Sequence, residues 1–192
     1  IDREGVFVYR TIDDLDAIRA YASKAKRCAV LGGGLLGLEA ARAVQQCGVE
    51  AHVIEMAPRL MPRQIDAIGG RLLKRAIESM GVSVHVGCGT REVLGDPAVT
   101  GLLTSDSELP FDMVVVSAGI RPRDELARAA GIAVGERGGI VVDDSLCTNV
   151  PGVYAIGECA LHRGMIYGLV APGYDMAEAL ARSLAGDTAA TF

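Results

Sequence analysis

The chain has 192 residues, of which 50% are hydrophobic and 24 are glycine, and a formal net charge of −5. That charge argues against a nucleic-acid surface, a 4% aromatic content without tryptophan offers no platform for stacked bases, and no apolar run reaches the roughly 20 residues of a membrane span. Glycine with abundant apolar residues instead suits a buried parallel sheet with tight turns, in roughly one domain or one and a half.

The five cysteines, Cys28, Cys47, Cys88, Cys147 and Cys159, contain no C-x-x-C pair and are scattered among apolar neighbours. They read as reduced, buried thiols of a cytoplasmic protein and not as a disulfide framework or metal site. There is no signal-like N-terminus, and a start at Ile1 reads as a piece of a longer chain.

Residues 1–26 read as a linker strand and helix. Val6 to Tyr9 is a short strand, and Thr11 caps a helix over Ile12 to Ala25 with Leu15, Ile18 and Ala22 on one face. Tyr21 and Lys24 do not form a dehydrogenase Tyr-Lys pair, because their spacing is one residue short and they precede the glycine motif.

The central stretch is Cys28 to Glu55. Cys28 to Leu31 is a buried strand running into Gly32-Gly33-Gly34-Leu35-Leu36-Gly37, in which Gly32, Gly34 and Gly37 form G-x-G-x-x-G. A helix follows to Cys47, Gly48 ends it in a left-handed cap, and Val49 to Ile54 is the next strand. Gly32 permits the tight turn, Gly34 lets the backbone approach a pyrophosphate, and Gly37 lets helix and strand pack closely. The helix N-terminus offers unpaired N–H groups and a positive dipole end to the phosphates. Glu55, eighteen residues after Gly37, stands close to the ~20 expected of the acid that takes the adenosine ribose hydroxyls. A bare glycine pattern is weak, but here strand, glycines, helix, cap, strand and acid come in the required order. Glu55 favours NAD over NADP, since a carboxylate repels a 2′-phosphate. Arg59 and Arg63 keep NADP open, because a nearby arginine can accept that group.

After a Pro- and Arg-rich loop, Ile65 to Met80 reads as an amphipathic helix with Ile68, Leu72, Leu73, Ala76, Ile77 and Met80 at helical spacing. Val82 to Val86 is a third strand, completing a mononucleotide-binding half. Residues 87–111 read as a small antiparallel meander with a turn at Gly95 to Pro97. Asp112 to Ala118 is a strongly apolar strand, Glu125 to Ala130 a short helix, and Ile140 to Val142 another strand. Pro151 to Glu158 reads as a last strand ending at an acid, and Ala177 to Leu184 as a final helix. His52, His85 and His162 have no metal spacing; Met56, Met61 and Met80 read as packing. No residue is singled out as catalytic and none as a metal ligand.

Two stretches carry a family resemblance. Ser117-Ala118-Gly119-Ile120-Arg121-Pro122 is similar to the A-x-G-x-x-P turn of the two-dinucleotide flavoprotein reductases, the pyridine nucleotide-disulfide oxidoreductase-like superfamily. Thr148 to Glu158, T-N-V-P-G-V-Y-A-I-G-E, resembles their second flavin motif. Within that superfamily, V-F-V-Y-R-T-I-D-D-L-D-A-I and A-I-G-E-C-A-L-H-R-G-M-I-Y-G-L-V-A-P-G-Y resemble the large-subunit family of NAD(P)H-dependent assimilatory nitrite reductases, an oxidoreductase family of nitrate assimilation. Rubredoxin and NADH-oxidase-like reductases are the nearer competitors.

The resemblance implies an α/β fold: a Rossmann-like three-layer dinucleotide-binding domain with a small antiparallel meander, plus the C-terminal part of a second, FAD-type Rossmann domain. The expected division is 1–26 linker, 27–121 NAD(P)H-binding domain and 122–192 tail of the FAD domain. It implies hydride transfer from NADH to FAD in the whole enzyme, with the isolated chain inactive and dependent on the missing remainder of the parent flavoprotein. The FAD glycine motif and the sirohaem and iron–sulfur cysteines belong to parts outside this sequence. The implied cofactor-binding residues are Gly32, Gly33, Gly34, Leu35, Leu36 and Gly37 for the pyrophosphate, and Glu55, Met56 and Arg59 for the adenosine side. Glu39, Ala118, Gly119 and Ile120 go to the nicotinamide half, and Gly157 and Glu158 to the flavin. Two rival readings are a nucleotide-sensing module without catalysis, and a complete small dehydrogenase, which would need a catalytic His, Tyr-Lys or Ser-Tyr group that the sequence does not supply.

Overall fold

The computed structural model describes residues 3–192 and divides them into two compact units, one ending at Gly119 and the other running from Ile120 to Phe192.

The first unit is built on a five-stranded parallel sheet. Its elements in chain order are β1 (Val6–Val8), α1 (Ile12–Ala22), β2 (Arg27–Leu31), α2 (Leu35–Gln46), β3 (Glu50–Glu55), α3 (Ala67–Ser79) and β4 (Ser83–Val86). There follow β5 (Thr90–Leu94), β6 (Gly101–Thr104), β7 (Glu108–Pro110) and β8 (Met113–Val116). The sheet order is β1-β8-β2-β3-β4, while β5, β6 and β7 form a separate antiparallel sheet. β2 lies in register with β3 over Arg27–Leu31 against Glu50–Ile54, and with β8 over Cys28–Leu31 against Met113–Val116. Chain order reverses at β2: the next strand, β3, lies to one side, and β8, which returns after the meander, to the other. A crevice at such a switch point, outside the carboxyl ends of the strands, is where open α/β sheets bind ligands.

Alternation along each strand makes the three layers. Cys28, Val30, Ala51, Val53, Met113 and Val115 point to the helical face, where they pack with Ile18, Ala22, Ala40, Ala41 and Val44. Ala29, Ile54 and Val114 point to the opposite face and pack with Leu102, Phe111 and Val99 of the meander and its flanks. Both faces are covered, so the central strands read as continuous apolar runs.

Differences from the sequence reading are local. The stretch read as a linker supplies the edge strand, since β1 pairs in parallel with β8. Thr11 caps α1 in a reciprocal capping box with Asp14. α3 packs Leu73 and Ile77 against the sheet and leaves Ile68, Leu72 and Met80 exposed, so the helix carries two apolar ridges and only one is core. The meander has a third strand, β7, which the sequence reading did not mark. Cys47 is exposed, whereas Cys28 and Cys88 are buried; no disulfide occurs among the described residues. Burial pushes the Cys28 thiol up to about 12.

The second unit contains α4 (Glu125–Ala129), β9 (Ile140–Val142), a 3-10 turn (Gly157–Cys159), β10 (Ala160–His162) and α5 (Val170–Leu184). β9 and β10 pair in parallel, and Val142, Leu146, Ala155, Ala160 and Met176 form its core. Pro151 to Glu158 is not the expected strand. Pro151 and Gly152 turn, Tyr154 makes a single bridge to Cys147, and Gly157 at φ +76° starts the 3-10 turn. α5 begins seven residues before the predicted start and includes Pro172 in its first turn, where the missing N–H costs no helical bond.

Candidate dinucleotide site

The glycine turn joins β2 to α2 at the switch point. Gly32 adopts φ +113°, and its N–H donates to Ile54 O at 2.9 Å. A Cβ on Gly32 would lie 2.5 Å from Ser117 O, so the turn is wedged against the end of β8. A Cβ on Gly37 would fall inside the van der Waals envelope of Gly32 O. These two glycines are obligatory for packing. Gly34 is different: a Cβ there would meet nothing within 4 Å. It is the N-cap of α2 and offers no side-chain cap to the N–H groups that follow. The mouth of the helix therefore presents unpaired donors and open space to whatever sits over it.

Glu55 is the acid of this turn. Its Oε2 accepts from Gly33 N–H and its Oε1 from Ala57 N–H, each at 2.6 Å. An ionised carboxylate has about four acceptor sites, so two remain for hydroxyl donors. The side chain is thus pinned beside the glycine turn and not withdrawn into an ion pair. Met56 follows it, 79% exposed. Leu60, wholly buried, packs beneath Gly33, and Met61 N–H donates to Gly33 O at 3.0 Å. The sequence reading missed this loop contribution; the signal was an apolar Leu60-Met61 pair inside an otherwise Pro- and Arg-rich loop.

Arg59 turns its guanidinium to carbonyls of its own loop. Its Nε donates to Ile65 O and its guanidinium to Pro62 O, both at 3.1 Å. Leu35 and Leu36 lie on the first turn of α2, 41% and 44% exposed. Glu39, one turn further, is exposed and lines a cleft of about 270 Å³ with Tyr9, Arg10, Thr11, Ile12, Leu15 and Leu36. Tyr9 lies where β1 leaves the sheet, its N–H on Val116 O, and was not singled out from sequence. Ala118 and Gly119 follow β8, with Gly119 at φ +93° and exposed. The Ser117 hydroxyl oxygen is buried and finds no partner among the described residues. Two observations thus bear on whether a dinucleotide fits here: an open cradle at Gly34 and an orphaned hydroxyl at the end of the strand flanking it.

The second unit holds the other predicted residues. Ile120 is 46% exposed. Gly157 takes φ +76° with open space where a Cβ would be, and its N–H faces Met176 Sδ at 3.1 Å. Glu158 is exposed and its carboxylate makes no hydrogen bond among the described residues. Thr148 is buried and closes a turn with Val150 N–H. A concavity of about 530 Å³ lies in this unit beside Asp144 and Arg163, away from the predicted residues. Asp144 there accepts from Arg163 and from His162, which holds its carboxyl down at about 2.

His52 and His85 belong to a separate network at the opposite edge of the first sheet. His52 bonds Glu50 at 2.8 Å and His85 at 3.1 Å. Burial first, then the neighbouring His52, Lys74 and Arg27, push the His85 pKa down. No group of three or more metal-ligating side chains occurs among the described residues, and none of their helices is long and apolar enough to cross a membrane.

Residues 2–179 match the family model described as pyridine nucleotide-disulphide oxidoreductase. The chain is 54% identical over 96% of its length to the nitrite reductase [NAD(P)H] large subunit of Klebsiella oxytoca, covering 19% of that protein. It is 53% identical over 92% of its length to the nitrite reductase (NADH) large subunit of Escherichia coli, covering 21%. The chain therefore spans about a fifth of the length of these relatives. Among solved structures, a ferredoxin reductase from Rhodopseudomonas palustris superposes with a TM-score of 0.88 at 34% identity, over 97% of this chain and 49% of that one.

Proposed function

The chain belongs to the pyridine nucleotide-disulphide oxidoreductase family, and from that premise we propose that its first unit binds NADH across the β2–α2 turn, as part of an FAD-dependent oxidoreductase of the nitrite reductase large-subunit type. The observation that carries this reading is the pairing of an open helix mouth at Gly34 with a carboxylate, Glu55, tied to Gly33 in the same turn.

Each residue then has a task. The N–H groups from Gly34 to Gly37 bind the pyrophosphate, aided by the dipole of α2. Gly32 and Gly37 bring the backbone close enough for them to do so. Glu55 uses its remaining acceptor sites for the ribose hydroxyls, and its charge disfavours a 2′-phosphate. Leu35, Leu36 and Met56 shield the edges of the cradle from water. Glu39 and the Ala118–Gly119 turn border the nicotinamide half. When bound, the reduced nicotinamide supplies a hydride, which the whole enzyme passes to flavin and onward as electrons. The protein's part is binding and orientation, and no acid or base from this chain is needed.

We propose residues 122–192 as the tail of the FAD domain, with Gly157 and Glu158 on the flavin side; the parallel β9–β10 pair and the positive φ of Gly157 support this. The remaining partner is the rest of the larger flavoprotein. Five free cysteines accord with the reducing cytoplasm. The test is a titration of the purified chain with NADH and NADPH, with a visible spectrum recorded alongside. Saturable NADH binding tighter than NADPH binding, from a protein without flavin absorbance, is expected. Absence of NADH binding, or tighter NADPH binding, overturns the reading.

A further inference from the structure

We propose that Arg59 is a positioning residue of the adenosine end of the site, which holds the loop 56–65 as the floor of the glycine turn and does not itself contact the nucleotide. The proposal rests on the dinucleotide reading above and concerns how that site is held in shape.

An arginine four residues after the ribose acid is, by sequence, a candidate phosphate ligand. The structure gives its guanidinium another occupation. One face of the fork reaches Ile65 O through Nε and Pro62 O through Nη2, both at 3.1 Å. These are charge-assisted bonds to two carbonyls of its own loop, and the planar fork is suited to gripping two acceptors at once. The stem is also committed. A Cβ placed on Gly70 of α3 would lie 2.9 Å from Arg59 Cβ, so the aliphatic chain lies flat against that helix. Gly70 is buried there for that reason.

The loop so fixed delivers two contacts to the turn. Leu60 packs under Gly33, and Met61, at φ +46°, directs its N–H to Gly33 O at 3.0 Å. Gly33 in turn donates to Glu55 Oε2. Arg59 is therefore connected through Met61 and Gly33 to the acid that meets the ribose. Loss of the brace frees the loop, and the conformational freedom regained must be removed again whenever the nucleotide binds.

The experiment measures dissociation constants of ADP-ribose, NADH and NADPH for the full chain and for Arg59→Ala, Arg59→Lys and Arg63→Ala, well below each variant's unfolding midpoint. A positioning role predicts that Arg59→Ala weakens all three ligands by the same factor, roughly tenfold, because the lost contacts lie in the protein. Arg59→Lys, whose single ammonium reaches one carbonyl at a time, should recover part of the loss for all three. Arg63→Ala, an exposed loop charge, should change ADP-ribose affinity by less than about twofold. A loss in Arg59→Ala confined to NADPH would make Arg59 a phosphate ligand and overturn the proposal. Unchanged affinities, or an equal loss in Arg63→Ala, would overturn it as well. Failure of the unsubstituted chain to bind any of the three would overturn the dinucleotide reading and this proposal together, a result distinct from the others.

Discussion

At Gly32–Glu55 and again at Thr148–Glu158 the chain sets glycine and an acid at the end of an apolar run, yet the two places are built differently. In the first, backbone and side chains satisfy one another. Gly32 is wedged on Ser117, Gly37 on Gly32, and Glu55 accepts from Gly33 and Ala57. In the second, a Cβ on Gly157 would meet nothing within 4 Å and Glu158 makes no hydrogen bond among the described residues. The comparison teaches that similar short patterns differ in how much of their geometry the chain itself enforces. A turn shaped by its own contacts is preorganised for a ligand, and ordering it at binding costs little.

The strongest way to break this contrast is at Gly37. Gly37→Ala puts a methyl group against Gly32 O, where only backbone can yield. Stability should fall by about 2–3 kcal/mol, as for overpacked cores, and ADP-ribose binding should fall below detection. Denaturant unfolding and calorimetry check both. Gly157→Ala, with open space but a positive φ, should cost only about 1 kcal/mol and leave ADP-ribose affinity unchanged.

Next in size is Glu55→Gln. A carboxamide oxygen can accept one backbone N–H, but its NH2 then faces the other donor. One amide of Gly33 or Ala57 loses its partner, at a cost of about 1–3 kcal/mol. NADH affinity should fall roughly tenfold, and NADPH affinity should fall less, because the charge opposing a 2′-phosphate is gone. Equal losses for both ligands would show that the carboxylate does not discriminate between them.

The smallest effect concerns the second unit. Asp144 is held at about 2 by hydrogen bonds from Arg163 and His162, against an ordinary value of 3.8. A lowered carboxyl pKa means the folded state binds fewer protons than the unfolded state between those values. Its contribution is complete above about pH 3.8 and is lost as pH falls through about 2. Asp144→Asn should flatten the acid limb of thermal stability in that window and leave nucleotide affinity untouched. Steep acid loss in the variant would assign that limb to other carboxylates.

Much of the first unit was legible because its signals are backbone requirements. Glycines at positions 32, 34 and 37 and an acid at 55 answer to sterics and charge that sequence displays directly. The apolar strands were equally plain, since both faces of the sheet are covered. What escaped was written in contacts between distant segments. β1 reads as a strand, but its place at the edge of the main sheet shows only once β8 is beside it. Ile68 and Leu72 have helical spacing like Leu73 and Ile77, and periodicity alone does not say which ridge meets the sheet. Leu60 and Met61 look like loop residues until they are seen under Gly33. Arg59 has the right position for a phosphate ligand, and only its bonds to Pro62 and Ile65 show where its charge is spent. Pro151 to Glu158 has a strand's composition, but Gly152 and Gly157 at positive φ bend it into turns.

Backbone amide chemical shifts recorded during an ADP-ribose titration of the labelled chain locate the bound dinucleotide. Saturable shifts concentrated at Gly32 to Gly37 and at Glu55 to Ala57 are expected, with residues 140–192 unmoved. Saturable shifts centred on Gly157 and Glu158, or none at the glycine turn at millimolar ligand, would contradict binding there.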